Sequence, residues 1–443
     1  MAKSKRNRQG KQPSAFLRGL RERLRRLSGR LPLPEDGGEP IDFSSPSIPY
    51  YRNLAERFSL ARIILYLALF VFVVTALLSN RHLLTYSNLY YLVKDINAAA
   101  LTAQDLANTL EYPASQSTPA FAAYRGGLVV AGSDEVTVLN GAGKKTLSEG
   151  VSYGSPAVAV SDKYFLTYGL GECSFALYNA FSRVYGEDTE YPVYGAAVAD
   201  DGSFAVLTRS QTYTSEVIFY DRDMNRLAAY HLGGYATSLT LNPSGETAAI
   251  LSVDSQDGLW ITKISLIRVS DRMTENSVQT VTLTDTFGGV CGFVAEDRVA
   301  AVLSDRLLIL RPDGEILSET VFDGLTPTLC AIGAGRVAVL SEKSTDLSEK
   351  DLKVFDKSGK IVYNRSIAWD GSPTAMAFGG YTLYVRTATA VYRLSPDGRE
   401  LLYAPINRDA VCILPDEDGN VLVCGTAYAT RLRQADFTAS ASN

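Results

Sequence analysis

The residues of this chain best suited to chemistry are few and widely spread. Five cysteines stand at 173, 291, 330, 412 and 424, and two histidines at 82 and 231. An odd number of cysteines at wide spacing is neither a disulfide framework nor a zinc pattern. His82 follows a long apolar run and His231 lies in a strand-like stretch (LAAYHLGG), so the two are not expected to share a metal. Cys291 (GGVCGF), Cys330 (PTLCAI) and Cys412 (DAVCIL) recur in similar contexts, with Met376 (PTAMAF) and Ala159 (PAVAVS) in matching places. In a repeat structure these positions line the crowded axis. Simple packing is the favoured reading, because cysteine behaves as a small hydrophobe. A metal or redox site in a central channel is the sharper alternative. Cys412 and Cys424 flank a turn almost symmetrically, which leaves a cross-strand disulfide open.

Other motifs carry less. Asp416, Asp418 and Asn420 in DEDGN imitate the opening of a calcium loop. The closing position, which needs a bidentate glutamate, is Ala427, so an EF-hand is excluded and a plain turn is expected. Asn364, Arg365 and Ser366 form a glycosylation sequon that matters only in a eukaryotic secretory route. The nucleophile elbow, the phosphate-binding loop and the dinucleotide fingerprint are all missing. The sequence therefore assigns no catalytic, metal-binding or cofactor-binding residue. Loop carboxylates could form an acid–base pair only by meeting in space.

The elements that would position these residues fall into two regimes. Between Arg62 and Arg81 lie 18 uncharged residues, IILYLALFVFVVTALLSN. With the preceding FSLA they suffice to cross about 30 Å of hydrocarbon. A cleaved signal peptide is not expected, because some 60 residues precede the run. Residues 1–62 hold 14 Lys/Arg and 6 Asp/Glu, a net of +8, and the remainder carries a net of −13. The positive-inside rule then puts the N-terminus in the cytoplasm and the large domain outside. An acidic domain argues against nucleic acid as its partner. Within the tail, FLRGLRERLRRL places Leu17, Leu20, Leu24 and Leu27 on one helical face and Arg18, Arg21, Arg23, Arg25 and Arg26 around the rest. Such a basic amphipathic helix is expected to lie on an anionic leaflet.

Beyond residue 120 the pattern changes to short alternating strands with turn signals every 8–12 residues. A unit recurs, as in VTVLNGAGKKTL, LLILRPDGEIL, LKVFDKSGKIV and VYRLSPDGREL. Its anchor positions are Leu139, Tyr178, Tyr220, Val269, Leu310, Phe355, Leu394 and Leu432, with gaps of 39, 42, 49, 41, 45, 39 and 38. A period near 40 with four strands per unit predicts an all-β fold, a β-propeller of eight blades, with seven as the alternative. The last unit runs short by one strand. Residues 100–119 are expected to supply it and so close the ring.

The turn segments FDKSGKIVY and LSPDGRELL resemble the outer half of quinoprotein-like propeller repeats. The plan as a whole resembles an uncharacterised family of bacterial single-pass membrane proteins with an extracytoplasmic propeller. Quinoprotein enzymes of this kind dock their blades with recurrent tryptophans and carry a vicinal disulfide beside the cofactor. Here only Trp260 and Trp369 occur, and no Cys-Cys pair. The resemblance therefore implies the fold without a quinone cofactor, and a non-catalytic binding platform. The expected division is a cytoplasmic tail and linker (1–57), a transmembrane helix (58–80), a connector (81–119), the propeller (120–433) and a polar tail (434–443). The expected partners are the bilayer and an envelope protein or glycan. A glycan or ester hydrolase and a ligand sensor coupled to the basic tail are the competing expectations.

Overall fold

The computed structural model describes residues 47–79 and 106–439, apart from 271–273 and 344–345. The arginine-rich segment with Arg18, Arg21, Arg23, Arg25 and Arg26 lies outside the described residues, as does most of the expected connector. The chain divides into two units, 1–79 and 80–443.

In the first unit a single helix runs over Ser47–Ser79. It begins well before residue 58, inside the stretch read as linker. Pro49 is compatible with this because it falls in the first turn, where no intrahelical N–H bond is required. The stretch Phe58–Thr75 is long and apolar enough to cross a membrane. Its side chains are exposed, apart from half-buried Val74. Thr75 Oγ1 donates to the Val71 carbonyl at 2.8 Å, so this polar atom is satisfied within the helix.

The second unit is an eight-bladed β-propeller. Seven four-stranded antiparallel units follow chain order over residues 120–150, 156–188, 193–232, 235–284, 288–321, 325–367 and 375–405. The eighth blade consists of Cys412–Pro415, Val421–Cys424, Tyr428–Leu432 and the N-terminal strand Thr109–Glu111. That strand pairs antiparallel with Tyr428–Leu432, Leu110 opposite Ala429, and so closes the ring. At the C-terminus Thr438–Ala439, within the expected polar tail, adds a fifth strand to the seventh blade against Leu401–Pro405. First strands of consecutive blades pack on one another around the whole axis, Ala120–Tyr124 against Cys412–Pro415 included.

The period of the sequence has a packing cause. Leu139, Tyr220, Leu310 and Leu394 end the third strands of their blades and are almost wholly buried. Each points an apolar side chain into the wedge between two blades, immediately before the polar turn. The core is thus a ring of inter-blade clusters. In one of them Phe175 of the second blade meets Phe204 of the third edge-on at 5.8 Å, and Phe204 stacks on Tyr220 at 4.5 Å.

The two ends of the propeller differ. Turns joining first to second and third to fourth strands lie at one end, here the lower. Turns joining second to third strands, and links between blades, lie at the upper end. The lower end is stitched blade to blade by hydrogen bonds. Tyr124 Oη donates to the Lys163 carbonyl at 2.5 Å, Ser161 Oγ to that of Ala199 at 3.1 Å, and the Asp200 amide to that of Pro243 at 3.0 Å. Asn242 Nδ2 donates to Glu296 at 2.6 Å, the Arg298 guanidinium to the Lys357 carbonyl at 3.2 Å, and that of Arg336 to the Pro396 carbonyl at 2.6 Å.

Candidate binding face at the upper end

The positions singled out from the sequence lie in four different wedges. Cys291 sits between the fourth and fifth blades, 5% exposed, with its Sγ 3.7 Å from the Ala249 carbonyl oxygen. Burial pushes its thiol up to about 11. Cys330 packs between the fifth and sixth blades, and burial raises its thiol too. Met376 packs between the sixth and seventh, and half-buried Cys412 between the eighth and first. The structure does not bring them together. Among the described residues no group of three or more His, Cys, Asp or Glu is placed to hold a metal ion. Cys412 stands directly opposite Cys424 in the ladder, and both are free thiols. The contact with Cys412, together with burial, holds the Cys424 thiol above its ordinary value.

The residues that do gather at a surface were not legible as a site. In the fourth blade Thr247–Gln256 and Leu259–Arg268 form a long hairpin. Its ladder continues to Gln256 opposite Leu259. The flanking strands stop sooner, at Tyr235 opposite Val253 and at Ile261 opposite Thr284. The tip, residues 254–260, therefore overhangs the sheet and is exposed throughout. Asp257 and Gly258 turn it with φ of 53° and 81°, the left-handed pair that a two-residue hairpin needs.

The overhang puts Trp260 in solvent, 50% exposed, where it meets Phe287, in the link into the next blade, edge-on at 5.2 Å and 83°. The Asp285 amide donates to the Trp260 carbonyl at 2.8 Å and fixes the two loops together. Beside Phe287 a cleft of about 280 Å³ opens between the fifth and sixth blades. Phe287, Val290, Pro327, Leu329 and Cys330 line it. Of the four recurrent positions, Cys330 is the one that lines this cleft.

The aromatic surface continues over the third blade. Tyr213 stacks on His231 at 4.5 Å, and the Arg209 guanidinium lies 5.4 Å above the Tyr194 ring. Exposed Tyr235 stands between these pairs and the hairpin in the order of the blades. Carboxylates surround them, with Asp254, Asp257, Asp285 and Asp323 all exposed. An exposed run of Tyr, Trp and Phe with an arginine has the composition of an interaction surface. The one signal in the sequence was a tryptophan two residues after an Asp-Gly turn. Nothing local says that the neighbouring strands end early.

A comparison with curated proteins found no match. Among solved structures, BamB from Moraxella catarrhalis is similar at 13% identity, with 74% of this chain and 98% of that one covered and a TM-score of 0.50. Sqt1 from Saccharomyces cerevisiae is similar at 11% identity, with the same coverage and a TM-score of 0.52. At such identities the likeness concerns the fold, and it agrees with the eight blades observed. Residues 101–430, most of the propeller, match the profile described as "Family of unknown function (DUF5711)", and the chain belongs to that family.

Proposed function

We propose that this protein is a membrane-anchored, non-catalytic binding platform. The helix around Phe58–Thr75 crosses the membrane, Arg18, Arg21, Arg23, Arg25 and Arg26 rest on the anionic inner leaflet, and the propeller stands outside the cytoplasm. Its upper end presents the aromatic face to a protein or glycan of the cell envelope. The observation that carries this reading is the concentration of exposed aromatic rings at the upper end. Trp260, Phe287, Tyr235 and Tyr213 all stand in solvent there, whereas exposed Tyr381 at the lower end lies under the Arg336 guanidinium at 4.8 Å. Exposed aromatic area of this kind costs solubility and is retained where a partner covers it.

Cross-linking of the full-length protein in native membranes, followed by mass spectrometry, is expected to return a reproducible envelope partner attached through the upper loops. Cross-links confined to the lower end, or none above background, would overturn the reading. A reporter fused after Asn443 is expected to be active only outside the cytoplasm. Cytoplasmic activity would reverse the topology.

A further inference from the structure

The cleft and its rim narrow what the platform binds. This inference rests on the platform reading above and deepens it. We propose that the partner presents a basic peptide segment with one apolar anchor side chain. The anchor enters the cleft between the fifth and sixth blades, and flanking arginines or lysines lie against Trp260, Phe287 and the carboxylates of Asp257, Asp285 and Asp323.

The cleft, about 280 Å³, has room for one bulky apolar side chain and sits at the small end of the range of about 300–1,000 Å³ usual for small-molecule sites. The walls are apolar, which suits an aliphatic or aromatic anchor, and anchors of this type in well-packed pockets dominate protein interfaces.

Charge argues for a basic flank. Asp257, Asp285 and Asp323 all stand in upper-end turns, with φ of 53°, 58° and 49°. Asp285 is tied to Trp260 through its amide, and the amide of Phe322, next to Asp323, donates to the Asp305 carbonyl at 2.8 Å, which draws that turn to the same rim. Of the cations on this face, Arg306 is engaged, at 2.6 Å by Asp305 and also by Glu319, Arg209 lies over Tyr194, and Lys263 is exposed in the hairpin strand that carries Trp260. The rim therefore offers three exposed carboxylates beside the π-faces of Trp260 and Phe287, and both attract guanidinium and ammonium groups. Arg209 over Tyr194 already shows that geometry on this face. A polyanion would be repelled, and a neutral glycan would use the aromatic rings but leave the carboxylates without a role.

Calorimetric titration of the full-length protein in neutral detergent tests this. The probes are a short peptide with one phenylalanine flanked by arginines, the same peptide with glutamates for arginines, the same with glycine for phenylalanine, and a neutral chito-oligosaccharide. Only the first peptide is expected to bind, more weakly as salt rises. Trp260→Ala and the double variant Asp257→Asn with Asp285→Asn should each weaken it by about tenfold or more. Asparagine tolerates the left-handed backbone as aspartate does, so the double variant keeps the turns. Equal binding by both variants, or binding of the oligosaccharide in place of the peptide, would sink the proposal. The two readings fail separately. A cross-linked envelope partner whose capture is unchanged by Trp260→Ala leaves the platform standing and removes this site. Absence of any partner, with no probe bound, removes both.

Discussion

At the scale of the residue, two groups show how burial and hydrogen bonding set local behaviour. Cys424 is wholly buried in an apolar wedge with Leu110, Leu128 and Leu422. Cys424→Ser would place a hydroxyl there with few partners, and we expect a loss of about 1–3 kcal/mol, read from urea denaturation. Titration of the unfolded chain with a thiol reagent is expected to give the same five thiols with and without reductant. Asp356 shows the electrostatic counterpart. Burial alone would raise its carboxyl, but hydrogen bonds from the Ser358 hydroxyl at 2.6 Å and the Ser358 and Lys360 amides at 2.8 and 3.0 Å outweigh it and hold the group below its ordinary value. A depressed folded-state value favours folding above the unfolded value, about 3.9, and that contribution is lost as pH falls through the folded value. The urea midpoint should therefore decline below about pH 5, and part of that decline should disappear in Asp356→Asn.

At the scale of the element, the closing strand carries more than its length suggests. Thr109–Glu111 has three residues, and the middle one, Leu110, is fully buried against Tyr112, Leu128 and Val130. Leu110→Ala should destabilise the propeller by about 2–5 kcal/mol, measured by denaturant unfolding. Removing the chain through residue 111 should do something different in kind. It bares the edge of Tyr428–Leu432, and a bare edge is a template for pairing. Self-association on a sizing column is the expected sign, and a monodisperse monomer would contradict it. Tyr112 Oη, which donates to the Gly425 carbonyl at 2.8 Å, adds a second tie between the same segments.

At the scale of the whole propeller, closure converts a linear array into one cooperative body. Blades touch only their neighbours, so an open array would fray from its ends. With the ring closed, far-UV circular dichroism and the fluorescence of Trp369, which lies edge-on to Tyr392 at 5.1 Å, should report the same urea transition. Opening the ring by the truncation above should separate the two. The same closed body gathers Tyr213, Tyr235, Trp260 and Phe287 at its upper end, an aromatic surface that no single blade possesses.

The sequence alone determined the all-β class and the period, and left eight blades against seven, because each third strand must deliver an apolar side chain to a wedge before a polar turn. The eight anchors from Leu139 to Leu432 made that visible at a spacing near 40. It also determined the apolar stretch Phe58–Thr75, since an uninterrupted run without charge is a property of composition. The site was another matter. Cys291, Cys330, Met376 and Cys412 share a local context, yet each is committed to a different wedge, because recurrence in a repeat reports equivalent packing rather than proximity. Trp260 and Phe287 are 27 residues apart, one in the hairpin of the fourth blade and the other in the link into the fifth. Only the tertiary structure decided that they meet in solvent, because that depends on where the strands beside the hairpin stop.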